Sequence, residues 1–133
     1  MTLDINDLAW TIHQGNVDKG FYDTPPNNAT ALMLIVSELS EALEADRAGK
    51  QADINYFIDR KNQIENSKGK ELDNEEYARL FKATIKDTYE DEIADAIIRL
   101  LDHCGYRGID IQTHIAAKLA YNQSRPHKHG KSY

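Results

Sequence analysis

Residues 29–48 read ATALMLIVSELSEALEADRA, and this stretch decides the fold class. Leu32, Ile35, Val36, Leu39 and Leu43 recur at helical spacing. Asn28 or Thr30 stands where a helix cap is needed, and Gly49 follows the end. The spacing predicts one helix from about Ala29 to Ala48. Toward the N-terminus, Ile5, Leu8, Ala9 and Ile12 share a face, which predicts a helix over about 4–14 with Asp4 as its cap. Residues 15–28, with Gly15, Gly20 and DTPPNN, read as a loop. Toward the C-terminus, Ile54, Phe57 and Ile58 give a weaker helical pattern over 52–64. NSKGKELDN (66–74) reads as a loop or hairpin tip.

From Glu75 onward one stripe carries Tyr77, Leu80, Phe81, Thr84, Ile85 and Thr88. Another carries Ile93, Ile97, Leu100 and Cys104. This is one long helix or two with a break near 86–90. Gly105–Gly108 suggests a turn, and Asp110 can cap a last helix through about Asn122. Ser124-Arg125-Pro126 ends it, because a residue before proline is pushed out of the helical region. No alternating strand of useful length is present. The expected fold class is all-α: one domain over residues 1–133, a helical bundle of about four to five helices. Several stripes are broad enough to leave apolar surface over, so the bundle is expected to be completed by oligomerisation as a homodimer or homotetramer.

The chain has 133 residues, 41% apolar and 29% charged, which places it among folded chains rather than disordered ones. No apolar run approaches the ~20 residues a membrane helix needs. No basic stretch followed by an apolar one opens the sequence, so neither membrane nor secretory signal is expected. Cys104, the one cysteine, has no internal partner, which fits a reducing, cytoplasmic setting. The net charge of −6 hides an asymmetry. The last 23 residues hold Lys118, Arg125, Lys128 and Lys131 and no acid, so they carry +4 and the remainder −10. An acidic body disfavours a nucleic-acid polymer, whose binding rests on Lys and Arg. It suits a site for a divalent cation, and the basic tail could meet a small anion; the plainer reading is a solubilising terminus.

The acids of the central helices fall in a pattern. Glu38 and Glu41 are spaced i, i+3 beside the apolar stripe of SELSEALEAD, and Glu92 and Asp95 repeat that spacing in EDEIADAII. If the two helices pack antiparallel by their stripes, four carboxylates converge. Such a group must be neutralised by protons, bases or metal. Oxygen ligands without His or Cys suit Mg²⁺, with Mn²⁺ as the substitute. Acid pairs at this spacing also line many solvated helices, and Glu44, Asp46, Glu90 and Asp91 are read that way. HExxH, Glu-x-x-His, the glycine-rich P-loop, GxGxxG and a His-Asp dipeptide are all absent. Cys104, on an apolar stripe, reads as core rather than nucleophile.

SELSEALEADR (37–47), EDEIADAIIRLLD (90–102) and KLAYNQSRPHKHGK (118–131) together resemble the MazG-like, all-α nucleoside triphosphate pyrophosphohydrolases. The family pattern of EExxE on one helix and ExxD on a later one falls on Glu38, Glu41, Glu92 and Asp95. Ser37 replaces the first Glu of the EE pair, which thins the metal shell. Residues 50–88 match nothing in the family pattern and read as an insertion or an oligomer contact. The segment around Trp10, His13 and residues 20–21 is similar to the same group, less specifically.

The resemblance implies hydrolysis of a nucleoside triphosphate, or its deoxy form, to the monophosphate and pyrophosphate. Divalent metal would sit on Glu38, Glu41, Glu92 and Asp95 and offset phosphate charge. Glu41, with Glu38 beside it, would orient or deprotonate the attacking water. On the last helix His114, Lys118, Tyr121 and Arg125 form a polar stripe. Lys118 and Arg125 would hold phosphates, and Asn122 would bond phosphate, sugar or base. Lys128, His129 and Lys131, in a basic flexible tail over 123–133, would close over the ligand. The competing reading is a helix end with cations favourable to its dipole. Trp10 is the candidate for base stacking, or else a core residue, and His13 is a candidate at the base edge. The alternative function is a non-enzymatic acidic helical module that senses a nucleotide or binds a protein.

Overall fold

A computed structural model describes residues 3–132, apart from the side chains at 129–130. Six α-helices follow in order: α1 (Ile5–Asp18), α2 (Asn28–Arg47), α3 (Ile54–Lys68), α4 (Asn74–Thr84), α5 (Tyr89–Arg107) and α6 (Ile111–Gln123). A 3-10 turn, His127–Gly130, closes the described chain. The described residues contain no strand, so the all-α class stands, with one helix more than the sequence pattern suggested. None of their helices is long and apolar enough to cross a membrane. The chain divides into two compact units. One holds α1, α5 from Ile98 onward, α6 and the 3-10 turn; the other, Ala29–Ile97, holds α2, α3, α4 and the first half of α5.

The second unit owes its core to the segment the sequence pattern read least well. Phe57 of α3 and Leu80 of α4 are buried with Ile85, and Ala52, Leu72 and Phe81 pack against them. Tyr77 and Phe81 meet the Phe57 ring edge-on, a favoured aromatic geometry. Asp73 and Glu76 form a reciprocal capping box that starts α4. Glu65 binds Lys61 and accepts from the Leu72 amide, which ties the hairpin tip to α3. Lys68 pairs with Glu76 across the same hairpin.

The break between α4 and α5 falls at residues 85–88, within the alternative that the sequence left open. Asp87 takes a positive φ there. The Thr88 hydroxyl accepts from the Asp91 amide and donates to the Ile85 carbonyl, so it caps α5. The Tyr89 amide donates to the Lys50 carbonyl, and Glu90 accepts from the Ala52 amide. These bonds fix where the first turn of α5, with Glu92 on it, begins.

In the first unit, Asp4 caps α1 and Asp110 caps α6, as their sequence positions predicted. Asn6 donates to Asp110 and accepts from the Gln112 amide, while Gln112 accepts from the Ile5 amide. Two helix N-termini are thereby joined side by side, with their orphan donors satisfied. Asn6 and the Thr113 amide hold the Asp110 carboxyl below the usual range. Two expected boundaries move. α1 runs through Gly15 to Asp18, and α5 runs through Gly105 to Arg107, so neither glycine begins a loop. A Cβ on Gly105 would meet the Ala9 carbonyl oxygen at 2.7 Å and the His13 Cβ at 2.8 Å. Gly105 is there to let α1 lie close against α5.

Candidate functional site

The apolar stripe of α2 is not its buried face. Leu32, Val36, Leu39 and Leu43 are about half exposed, while Glu38, Ala42 and Ala45 are buried. On the first half of α5 the buried residues are Glu92 and Ala96. Glu38 and Glu41 of α2 therefore meet Glu92 of α5 beside the stripes, and the stripes themselves are not the buried face that the sequence reading supposed.

Oxygens of Glu38, Glu41 and Glu92 lie within 4.8 Å of one another. Glu38 and Glu92 are only 7% and 8% exposed, whereas Glu41 reaches solvent. At this range two unit charges repel by about 3 kcal/mol at an effective dielectric of about 20. Burial adds a further cost to ionisation. The Glu92 carboxyl is accordingly pushed up to about 7, by burial first and then by Glu41, Asp95 and Glu38. It shares a hydrogen bond with Glu38, which two carboxyls can do only when one is protonated. Glu92 also sits in the first turn of α5, where the helix dipole favours an anion by about 0.3–1 kcal/mol. Burial and repulsion outweigh it. Asp95 is near enough to add to the repulsion but stands outside the close group of three.

The donor set fits a hard dication. It is all oxygen, held on two helices, and its surplus negative charge is offset here by a proton. Ser37 is exposed, and its hydroxyl donates to the Leu34 carbonyl at 2.6 Å. It contributes nothing to the carboxylate group. Asp87, Asp91 and Glu92 form another close set. There Asp87 pairs with Lys86 and its amide donates to Asp91, so those two acids already serve the start of α5. A cavity of about 280 Å³ opens elsewhere in this unit, between α3 and α4, lined by Arg60, Ile64, Leu72, Glu76, Arg79 and Leu80.

The remaining candidates fall in the first unit. On α6 the structure brings Lys118 and Arg125 over the Tyr121 ring, with Lys118 Nζ 5.0 Å and the Arg125 guanidinium carbon 5.4 Å from its centroid. The ring gathers two cations that would otherwise repel. Asn122 is half-buried next to them, and its carbonyl accepts from the Arg125 amide. The tail is less loose than a flexible flap: Lys128 lies in the 3-10 turn, and its carbonyl accepts from the Lys131 amide. Both lysine side chains are exposed. The His129 side chain lies outside the described residues.

Trp10 is 56% exposed, which removes the core reading for it. His13 is buried, and its Nδ1 lies 3.0 Å from Asp102 Oδ1. The Tyr22 hydroxyl donates to Asp102 Oδ2 at 2.8 Å. Burial, followed by that bond, raises the Tyr22 phenol above its usual range. Tyr22 meets the His13 ring edge-on at 4.5 Å, and Tyr106 and Trp10 stand 5.7 and 6.1 Å from it. The sequence reading named Trp10 and His13 but missed Asp102. Its signal is a lone acid directly after Leu100 and Leu101. Cys104 is buried, and burial pushes its thiol up, consistent with a core role.

Compared with protein-family models, curated proteins and solved structures, the chain matches none of them.

Proposed function

We propose that the chain is a divalent-metal-dependent nucleoside triphosphate pyrophosphohydrolase of the MazG-like kind. The observation that carries this reading is the convergence of Glu38, Glu41 and Glu92 from two helices, buried deeply enough that one of them retains a proton near neutrality. Mg²⁺ or Mn²⁺, held by these residues with Asp95 beside them, would supply charge compensation for the phosphates. Solvent-facing Glu41 is the group placed to orient the attacking water and accept its proton, and Glu38 the one placed to support it. The water oxygen bonds to the α-phosphorus as the bond to the bridging oxygen breaks, and pyrophosphate leaves. Lys118 and Arg125, gathered on Tyr121, are assigned to phosphate oxygens, with Asn122, Lys128, His129 and Lys131 as further contacts. Trp10 and His13 are assigned to the base. The half-exposed leucines of α2 support a second copy of the chain as the cover for that face, in a homodimer or homotetramer.

The test is product identification. The chain, incubated with Mg²⁺ and a panel of NTPs and dNTPs, should release pyrophosphate and the monophosphate. Release of orthophosphate, or no turnover, removes the assignment. Light scattering should return a mass above that of one chain. A second reading, an acidic module that binds without cleaving, draws on the Ser37 hydroxyl being committed to Leu34. Saturable nucleotide binding without product would favour it.

A further inference from the structure

Asp102 and Tyr22 belong to no assigned chemistry, yet with His13 they form a part-buried polar cluster in the first unit. An ionised carboxylate has no proton to give. Its Oδ2 accepts from the Tyr22 hydroxyl and its Oδ1 faces His13 Nδ1, so both contacts are satisfied only if Nδ1 carries a hydrogen. A ring that carries its one hydrogen on Nδ1 has a bare Nε2. Among the described residues Nε2 has no hydrogen-bond partner, and no buried side-chain nitrogen or oxygen is left unsatisfied. The ring cannot easily turn away. Gly105 lies against the His13 Cβ, Tyr22 abuts the ring edge, and Tyr106 stands 4.9 Å from Tyr22.

We propose that Asp102 is a positioning residue which, with Tyr22, locks His13 in the Nδ1–H form and so presents Nε2 as a fixed hydrogen-bond acceptor to a planar, N–H-bearing ring lying beside Trp10. Resting on the nucleotide reading, that ring is a nucleobase, met through an exocyclic amino group or a ring N–H. Trp10, 56% exposed, stands with its ring centre 6.1 Å from that of His13. A stacking plane and one directional acceptor are the minimum needed to hold a planar polar ring in one orientation. A histidine free to exchange tautomers would meet the same ring as donor or acceptor indifferently. Fixing the tautomer turns a contact into a selection.

The test uses the full chain labelled with ¹⁵N-histidine, observed at about pH 8, where a free imidazole is neutral. His13 should show a protonated Nδ1 and a bare Nε2. In Asp102→Ala the ring should lose this preference. In Tyr22→Phe, which leaves the carboxylate in place and guards against a folding defect, it should persist. Titration with the nucleoside monophosphates of all five bases should perturb His13 Nε2 for at least one base. Its affinity should fall about 10-fold in Asp102→Ala, the worth of one well-aligned hydrogen bond, and less in Tyr22→Phe. A proton on Nε2 in the unaltered chain overturns the proposal. So does the absence of any perturbation at Nε2, or unchanged affinity in Asp102→Ala once its tautomer is lost. Glu38→Gln separates the two readings. It should abolish pyrophosphate release while leaving the His13 tautomer and the monophosphate response as they were.

Discussion

Glu92 and Asp102 lie on the same helix, α5, one in each unit, and their surroundings are opposite in kind. Glu92 faces other acids, Glu38 and Glu41, and burial and their charge push its carboxyl up to about 7. Asp102 faces hydrogen-bonding groups, the Tyr22 hydroxyl at Oδ2 and His13 Nδ1 at Oδ1. Buried acids are costly, and the chain meets that cost in two ways. A donor-satisfied acid is complete within the chain. An acid among acids is incomplete, and what would complete it is a cation. The contrast is why we propose that Asp102 organises its neighbours and that Glu92 holds a cation from solution.

The largest expected effect breaks the acid cluster. Glu38→Ala or Glu92→Ala should lower pyrophosphate release by at least about 100-fold, the upper end of what losing a supporting partner of a metal ligand costs. Helical circular dichroism should stay intact. Retained turnover would detach the cluster from the chemistry. The next effect breaks the other region. Asp102→Ala strands two partly buried donors and should cost about 2 kcal/mol in denaturant unfolding. Gly105→Ala should cost about 1–3 kcal/mol, since the added methyl collides with the backbone of α1. Glu92→Gln, by contrast, should leave the metal-free chain as stable or more so above neutral pH.

A third effect sharpens the contrast through pH. The folded Glu92 value, about 7, lies above the ordinary 4.5. Between these the folded chain holds a proton that the unfolded chain has lost, so stability from this group is full below about 4.5 and lost as pH rises through about 7. Asp110 and Glu65, held below their usual values by hydrogen bonds, contribute in the opposite sense and lose stability as pH falls. Melting curves in chelator should therefore decline from acid to neutral pH relative to Glu92→Gln, and Mg²⁺ should remove the decline. Parallel curves for the two proteins would contradict the protonated cluster. The smallest effect is at Tyr121. Removing its ring as Tyr121→Ala should cost about 0.5–1 kcal/mol of triphosphate affinity, read as a raised KM with kcat nearly unchanged.

Much of this was legible in the sequence. The helical class, the caps at Asp4 and Asp110 and the break before Tyr89 follow from local chemistry, which neighbours in the chain determine. The packing face of α2 did not. Its stripe of Leu32, Val36, Leu39 and Leu43 adjoins the line of Glu38, Ala42 and Ala45, and periodicity cannot say which of two adjacent stripes a neighbour will cover. The i, i+3 acids pointed to convergence, but the burial of Glu38 and Glu92 does not follow from spacing. Asp102 escaped because a single acid has no period. Its meaning lies in Tyr22 and His13, which are remote in sequence. The charged stretch 50–88 read weakly because its core rests on only Phe57, Leu80 and Ile85.

The most direct measurement is calorimetric titration of the metal-free chain and of Glu92→Gln with Mg²⁺ and Mn²⁺ at moderate salt. A cage of acids on α2 and α5 predicts saturable binding in the native chain and its loss in the variant. Weak, non-saturating heats that vanish with added salt, the same in both proteins, would show that the acids hold no cation.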